Sequence, residues 1–422
     1  MPLFLLSGLL ALRSAQFSFS PPAWFAHFAS RLPLVLAAVA CLFLAGCADD
    51  SGNRFLVDAK INDQPVHLAL DTGSNRPALF QPTPARLGIK IVQAAPTVQL
   101  PAASTPAGVT EACTLAFWNG TTATRFGVIT MPPYLDNTFD GLLGWPNLQQ
   151  NILQFDALNH TCTVLNQVPA ETSTWVKFNL LYNSGLLVLS APEPGGGSMV
   201  IFVDTGSDQG VALSPDGWAK WRDDHPHPPD TINAYFTPSA GLVIAEESWA
   251  PTLTLGPLVL TNVPIQSVGY SPTTFFPPGK PDATFGMDAL KRVDFIVDGP
   301  GRVAYLRPRH DAPPEFGQNR LGAVFIPPDP SKDEPLIAHV IEGSPAYRAG
   351  IRNGDVLLRI NRFGISHWRT VPRDMSVFGF WNAPVGSIFD LTLQRWGREF
   401  TTTVILRELI GPDAELPDDS TN

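Results

Sequence analysis

The chain has 422 residues, of which 44% are hydrophobic, and a formal net charge of −10. This length and apolar content suffice for two or three domains with hydrophobic cores. The acidic balance argues against nucleic acid as a partner, because phosphate binding needs clustered Lys and Arg. The 42 prolines and 34 glycines, with few long helical periodicities, predict short strands joined by turns and therefore an all-β class.

Residues 1–47 have the pattern of a targeting segment. The apolar run 32–46 is too short for a comfortable membrane span and ends in Leu44-Ala45-Gly46-Cys47. This ending resembles a bacterial lipoprotein signal, which implies that Cys47 is lipidated. The protein is then expected to be a lipid-anchored protein of the bacterial cell envelope, on its periplasmic or extracellular face. A signal anchor, or a secretory peptide with a chance cysteine, is the alternative.

One tetrapeptide occurs twice, each time after an apolar strand. Residues 68–70 lead into Asp71-Thr72-Gly73-Ser74, and residues 200–203 lead into Asp204-Thr205-Gly206-Ser207. A strand that ends in such a turn fixes the carboxylate at its end, and the glycine leaves room for another backbone or a substrate. Two copies indicate a duplication that brings two carboxylates together.

A second landmark also occurs twice, as an apolar pair and a glycine before a short helical pattern. It lies at 141–148 in the first half and at 283–290 in the second, and each is followed by a predicted hairpin, at 155–165 and 295–306. With the Asp-Thr-Gly-Ser loops, these segments resemble aspartic peptidases of the pepsin and retropepsin clan. The resemblance implies two retropepsin-like (pepsin-like) β lobes related by an internal pseudo-twofold axis. We place these lobes at residues 54–168 and 172–308.

The resemblance implies a mechanism in which the Asp71 and Asp204 carboxyls share a proton. Two carboxylates this close cannot both ionise cheaply, so one serves as general base on water and the other as general acid. The loops imply supporting roles for their other residues: Thr72 and Thr205 interlock, Gly73 and Gly206 give space, and the Ser74 and Ser207 hydroxyls hold the outer carboxylate oxygens. The substrate is expected to be a peptide or unfolded protein, with no metal and no cofactor.

Several features near the loops leave alternatives open. Arg76 near the pair would lower a carboxyl pKa and Asp208 would raise it. Cys113 and Cys162 are compatible either with a disulfide or with two free thiols. The hairpin over the cleft that the clan carries has two candidates, 101–108 and 235–241. The loop 223–230 is rich in Asp, His and Pro, and we interpret it as a rigid exposed loop in preference to a metal site.

The C-terminal part changes character after a Pro-rich linker at 309–318. A predicted strand at 336–341 precedes a helix in which Ser344 is the N-cap and Pro345 the first residue. With the following segment 349–361, this resembles a PDZ domain, placed at residues 319–410. The resemblance assigns the carboxylate-binding loop to Leu321, Gly322, Ala323 and Val324. It implies that a peptide ligand adds a strand to the sheet edge there, beside a helix at 373–380.

Two functions fit these patterns. One is an envelope-anchored aspartic endopeptidase with a PDZ module, and the other is a non-catalytic peptide-binding lipoprotein scaffold of the same fold. A third possibility, in which each half works as a homodimer, is unnecessary because both loops lie in one chain. The complete pair of loops favours the peptidase.

Overall fold

A computed structural model describes most of the chain beyond the leader. The described residues are 44–45, 53–93, 105–118, 120–130, 138–181, 185–193, 196–226, 230–237, 241–268, 281–310, 316–329, 332, 334–365, 368, 379–412 and 414. Cys47, residues 101–104 and 238–240 of the two candidate hairpins, and residues 373–378 of the predicted helix 373–380 lie outside them. Within the described part of the chain, no helix has the length and apolarity to cross a membrane.

The described strands form three sheets, so the predominantly β class is confirmed. The first sheet is built from the first half of the chain and has nine strands. In spatial order they are Ile91–Gln93, Thr105–Thr110, Gly127–Thr130, Ala78–Phe80, Gly141–Gly144, Gln64–Asp71, Leu56–Ile61, Cys113–Phe117 and Gly120–Thr124.

The second sheet has thirteen strands and is built largely from the second half. In spatial order they are Leu44–Ala45, Asp230–Thr237, Gly241–Leu255, Leu258–Ser267, Val211–Leu213, Ala283–Phe285, Ser198–Val203, Val188–Pro192, Val176–Leu181, Val303–Pro308, Val293–Asp298, Ile152–Asp156 and Thr161–Leu165. The last two strands come from the first half, because the hairpin of 152–165 pairs with Val293–Asp298. The two halves therefore share one continuous sheet.

The third sheet lies near the C-terminus and has six strands. They are Ala323–Ile326, Leu336–Val340, Val356–Ile360, Ile388–Arg395 and Arg398–Ile405, with Phe363–Gly364 paired to Val356–Ile360. Short helices connect the strands throughout: the α-helices Pro82–Arg86, Trp145–Leu148, Pro215–Asp224, Met287–Leu290 and Pro345–Arg348, and the 3₁₀ helices Ala170–Thr174 and Phe380–Asn382. The Ser344 side chain accepts a hydrogen bond from the Tyr347 N–H, which confirms the predicted N-cap.

The two halves repeat one topology around their Asp-Thr-Gly-Ser loops. In the first, the strand ending at Asp71 runs parallel to Gly141–Gly144, which pairs antiparallel with Ala78–Phe80. In the second, the strand before Asp204 runs parallel to Ala283–Phe285, which pairs antiparallel with Val211–Leu213. A short helix follows both Gly144 and Gly286. The order of elements predicted from the duplicated motifs is thus present twice.

The hydrophobic core continues from one half into the other. Phe55, at the entry to the first sheet, packs edge-to-face on Phe155 with ring centroids 5.2 Å apart. Phe155 in turn stacks on Phe295 of the second half at 5.4 Å. All three rings are buried, and such aromatic contacts add to the stabilisation from apolar burial. The halves are therefore joined by apolar packing as well as by sheet pairing.

Candidate active site

The first loop follows the strand Gln64–Asp71, whose last residues are wholly buried. The Ser74 N–H donates to the Asp71 carbonyl at 3.1 Å, which closes a tight turn. The Ser74 carbonyl accepts from the N–H of Trp145 at 2.9 Å, so the start of the short helix Trp145–Leu148 holds the end of the loop. The Asp71 side chain is thereby fixed at the end of a central strand.

The second loop is held in the same way. The Ser207 N–H donates to the Asp204 carbonyl at 3.2 Å, and the Ser207 carbonyl accepts from Met287 N–H at 2.7 Å. The Asp204 N–H donates to Phe285 of the adjacent parallel strand at 2.9 Å. The same sequence therefore forms the same turn, anchored by the equivalent helix.

The two loops are joined by four reciprocal hydrogen bonds through their threonines. The Thr72 hydroxyl donates to the Val203 carbonyl at 2.7 Å and accepts from the Thr205 N–H at 3.1 Å. The Thr205 hydroxyl donates to the Leu70 carbonyl at 2.6 Å and accepts from the Thr72 N–H at 3.0 Å. Both threonines are fully buried. Each hydroxyl thus satisfies backbone groups of the opposite half, which fixes the loops relative to each other.

Each loop glycine lies against the carboxylate of the other loop. A Cβ on Gly206 would stand 2.8 Å from Asp71 Oδ1, and a Cβ on Gly73 would stand 2.8 Å from Asp204 Oδ2. Real Cβ atoms essentially never approach this closely, so only glycine permits the arrangement. The structure therefore brings Asp71 and Asp204 together at the contact between the halves.

In each carboxylate, one oxygen accepts a hydrogen bond from a backbone N–H, and the other has no hydrogen bond among the described residues. Oδ1 of Asp71 accepts from the Gly73 N–H, and Oδ1 of Asp204 accepts from the Gly206 N–H, both at 2.9 Å. Oδ2 of each Asp is buried and makes no hydrogen bond within the part of the chain that the structure describes. The Gly73 and Gly206 N–H groups thus bind equivalent oxygens of the two carboxylates.

Burial and mutual repulsion keep the pair from ionising together. Burial raises the pKa of Asp71, against which the charge of Arg54 and the Gly73 N–H act in the opposite direction. Burial also raises the pKa of Asp204 well above its usual value, and the neighbouring Asp71 charge adds to the rise. Burial and the proximity of the two groups therefore disfavour the state in which both carboxyls are ionised.

A buried ion pair beside the second loop was not predicted from the sequence. The Arg54 guanidinium contacts Asp208 through two nitrogens, one of them at 3.0 Å from Oδ2, and Asn53 donates to Oδ1 at 3.0 Å. Asp208 directly follows the loop of Asp204, whereas Arg54 precedes the first strand of the first half. The cation that acts on the pKa of both Asp71 and Asp204 is thus Arg54.

Two details of the predicted loops differ in the structure. The Ser74 hydroxyl donates to the Arg76 carbonyl at 2.8 Å, and the Ser207 hydroxyl accepts from the Gln209 N–H at 3.4 Å. The hydroxyls therefore stabilise the turns, and the glycine N–H groups hold the carboxylates. Asp208 is neutralised by Arg54, so it does not act on the pair as the free anion that was expected.

The remaining candidate residues occupy other environments. Cys113 and Cys162 are free thiols, so the disulfide alternative is not realised. Within the part of the chain that the structure describes, no three or more His, Cys, Asp or Glu side chains are grouped to hold a metal ion. In the C-terminal part of the chain, Leu321, Ala323 and Val324 are buried.

Gly322 has φ of +68°, and a Cβ there would collide with the Ser344 side chain. The glycine is thus required by its backbone conformation and by packing on the helix cap.

Comparison with known proteins supports two domains. Residues 57–146 match the Aspartyl protease family, and residues 336–362 match the PDZ domain family. The chain therefore contains an aspartyl protease domain and a PDZ domain near its C-terminus.

Individual relatives resemble only parts of the chain. "Putative zinc metalloprotease RC0203" of Rickettsia conorii is 32% identical over 76 residues, which are 18% of this chain and 20% of that protein. The chain thus spans about a fifth of that relative's length. The crystal structure of the retroviral protease-like domain of Ddi1 from Leishmania major is 18% identical with a TM-score of 0.22, covering 28% of this chain and 95% of that one.

Proposed function

We propose that this chain is an aspartic endopeptidase built from two β lobes, at residues 54–168 and 172–308, which face each other across a pseudo-twofold axis. The repeated strand topology supports this arrangement, since each half delivers its loop from an equivalent strand. The reciprocal threonine bonds support it further, because each bond from one loop has a counterpart from the other.

The proposed reaction uses the single negative charge of the Asp71 and Asp204 pair. The ionised carboxylate takes a proton from a water bound between the Oδ2 atoms, and the water oxygen attacks the peptide carbonyl carbon. The protonated carboxyl donates its proton to the carbonyl oxygen, which gives a neutral tetrahedral intermediate. The carboxyl that took the water proton then gives it to the nitrogen, while the other carboxylate takes a proton from a hydroxyl of the intermediate, so that the C–N bond breaks and two peptides are released. The two carboxyls return to sharing one proton.

The observation that carries this proposal is the contact of each loop glycine with the opposite carboxylate. Burying two neighbouring carboxyl groups, each with one oxygen unpaired within the described part of the chain, opposes folding. A scaffold that only binds peptides has no need of two buried carboxyl groups that destabilise the fold. A site that must bind and polarise water does need such carboxyl groups, and destabilising groups concentrate at functional sites.

Substitution of either aspartate tests the proposal. Asp71→Asn and Asp204→Asn should each lower kcat for cleavage of unfolded casein by at least about 10³-fold, because neither variant can form a carboxyl pair that shares a proton. Asp58→Asn is the matched control, since Asp58 is exposed on the neighbouring strand. All three variants should retain a cooperative melting transition. Near-wild-type cleavage by either folded dyad variant would refute the catalytic assignment.

We further propose that Cys47 carries a lipid that anchors the chain to the bacterial cell envelope, with the domains on the periplasmic or extracellular side. The Leu-Ala-Gly-Cys ending of the leader supports this proposal. Cys47→Ser should release the protein into the soluble fraction or block its processing. Membrane retention of a correctly cleaved Cys47→Ser protein would contradict it.

A further inference from the structure

The strand of the PDZ domain that the sequence assigns to peptide binding is already covered in this structure. Ala323–Ile326 pairs with Leu336–Val340 on one side and ends the sheet on the other. Alternate residues of a strand point to opposite faces, yet all four side chains of this strand are buried. Both faces of the receiving strand are therefore occupied.

Part of the cover is a hairpin from the peptidase region, which we call the docking hairpin and define as the strands Asp230–Thr237 and Gly241–Leu255. Its first strand contacts Ala323–Ile326. Ile232 and Ala234 belong to the same buried apolar cluster as the PDZ strand. The hairpin thus contributes side chains to the PDZ core.

The carboxylate-binding loop is closed by the side chain of Asn319. Its Oδ1 accepts from the N–H groups of Leu321 and Gly322 at 2.9 and 3.0 Å. Its Nδ2 donates to the carbonyls of Ile232 at 2.7 Å and Ala323 at 2.9 Å. All the hydrogen-bonding positions of this amide are used and the residue is wholly buried. The amide oxygen occupies the donors that a terminal carboxylate would need.

Further polar contacts tie the hairpin to the PDZ domain. The Thr231 hydroxyl donates to the Asn319 carbonyl at 2.8 Å. Trp381, on the 3₁₀ helix that packs beside the receiving strand, donates from its indole N–H to Asn233 Oδ1 at 3.3 Å. Both residues of the hairpin are buried, so these bonds are made away from water and would be costly to leave unmade.

We infer that the peptide-binding edge of the PDZ domain is an internal dock for the docking hairpin, with Asn319 in the place of a ligand carboxylate. A free peptide with a C-terminal carboxylate then binds only when Asn319 and the hairpin leave this edge. The inference concerns the PDZ domain and stands whether or not the chain cleaves peptides.

The dock is connected to the candidate active site through one sheet. From the docking hairpin the strand order runs through Leu258–Ser267, Val211–Leu213 and Ala283–Phe285 to Ser198–Val203, which delivers Asp204. Release of the hairpin would remove support from the outer strands of this sheet. Occupation of the PDZ edge by a partner peptide is therefore a route by which binding could alter the second half of the peptidase.

Hydrogen–deuterium exchange on the full chain tests the dock. Asn319→Ala should raise exchange about tenfold in both 319–326 and 230–237, because the substitution removes the bonds that join them. The matched control is Asn159→Ala, in an exposed turn of the first half, and should change neither segment. A rise confined to 319–326, with the hairpin unchanged, would overturn the inference.

Peptide binding provides the second measurement. A fluorescent octapeptide that ends in valine with a free carboxylate should bind the Asn319→Ala chain at least about tenfold more tightly than wild type, since the docked form cannot accept it. The amidated peptide should show no such gain. Equal affinity of the free-carboxylate peptide for both chains would mean that the edge is open and would overturn the inference.

A milder variant covers the case in which Asn319→Ala does not fold. Thr231→Val keeps the side-chain volume and removes only the hydroxyl bond to Asn319. It should raise exchange in the same two segments together. No change in either segment would overturn the inference.

Discussion

Loss of Arg54 should destabilise the protein and shift its activity to higher pH. The guanidinium and the Asp208 carboxylate are both buried, with side-chain exposures of 2% and 10%. Removal of one partner of such a pair typically costs about 3–5 kcal/mol, because the other charge is left buried and uncompensated. Arg54→Met is the substitution of choice, because it keeps a long side chain at this position and removes the charge.

The expected loss lies near the lower end of that range, at about 3 kcal/mol. Burial raises the pKa of Asp208 to about 6 even with Arg54 beside it. Without the cation the pKa rises further, so Asp208 can take up a proton and escape part of the penalty. Asn53 also retains its hydrogen bond to Oδ1. Denaturant titrations at pH 7 would measure the change in the free energy of unfolding.

A double variant separates the ion pair from general disruption of the core. Arg54→Met combined with Asp208→Leu removes both charges, so it should recover most of the stability that Arg54→Met loses. If the two single variants instead lower the free energy of unfolding by amounts that add up to the loss in the double variant, the ion pair does not stabilise this region. That outcome would refute the assignment of Arg54 as the partner of Asp208.

The catalytic consequence follows from the sign of the charge. Arg54 lowers the pKa of both Asp71 and Asp204, against the effect of burial. Its removal raises both values, so the singly charged pair forms at higher pH and both limbs of the pH–activity profile should move upward. The profile of kcat/KM for a short peptide measures this shift. A profile that stays in place, or moves to lower pH, would contradict it.

Two further predictions concern the loops themselves. Folding raises the pKa of Asp204 well above 3.8 and that of Asp71 to about 7. The folded chain therefore holds protons that the unfolded chain releases. As a result, the free energy of unfolding should fall as the pH rises from about 4 towards 7. Asp204→Asn should make this fall shallower in denaturation experiments, and an unchanged slope would count against a shared proton. Thr205→Val removes the hydroxyl that hydrogen-bonds the Leu70 carbonyl and the Thr72 N–H, and so leaves two buried backbone groups unpaired. The free energy of unfolding should fall by about 2–4 kcal/mol in denaturation experiments. A fall below about 1 kcal/mol would show that the loops do not depend on this contact.

The sequence alone predicted the parts of the fold that are written locally. A strand before each Asp, a turn of Thr, Gly and Ser, and a glycine before a short helix are short-range patterns, and each is found twice in the structure. The helix cap at Ser344 is equally local. Such patterns fix the backbone, and they predicted the juxtaposition of Asp71 and Asp204 through the duplication.

Contacts between distant segments could not be predicted in this way. Arg54 stands in a polar stretch before the first strand, and nothing near it in sequence shows that it reaches Asp208. The serine hydroxyls were assigned to the carboxylates, although the nearest acceptor of Ser74 lies two residues further on in its own turn. The bond between the Asn319 side chain and the backbone could have been predicted from sequence, because Asn often hydrogen-bonds the backbone two residues ahead. That bond is the one it makes to Leu321.

The sheet shared by the two halves also bears on how the chain could be divided. A cut within Ala170–Thr174 would leave the strand Ile152–Asp156 on one fragment and its partner Val293–Asp298 on the other. Each fragment alone would expose an unpaired strand edge, which favours aggregation. When the fragments are mixed, the two strand edges can pair with each other again. The Phe155 and Phe295 rings would then stack as they do in the intact chain. The protein is thus suited to fragment complementation, with recovered peptide cleavage reporting the reunion of the two fragments.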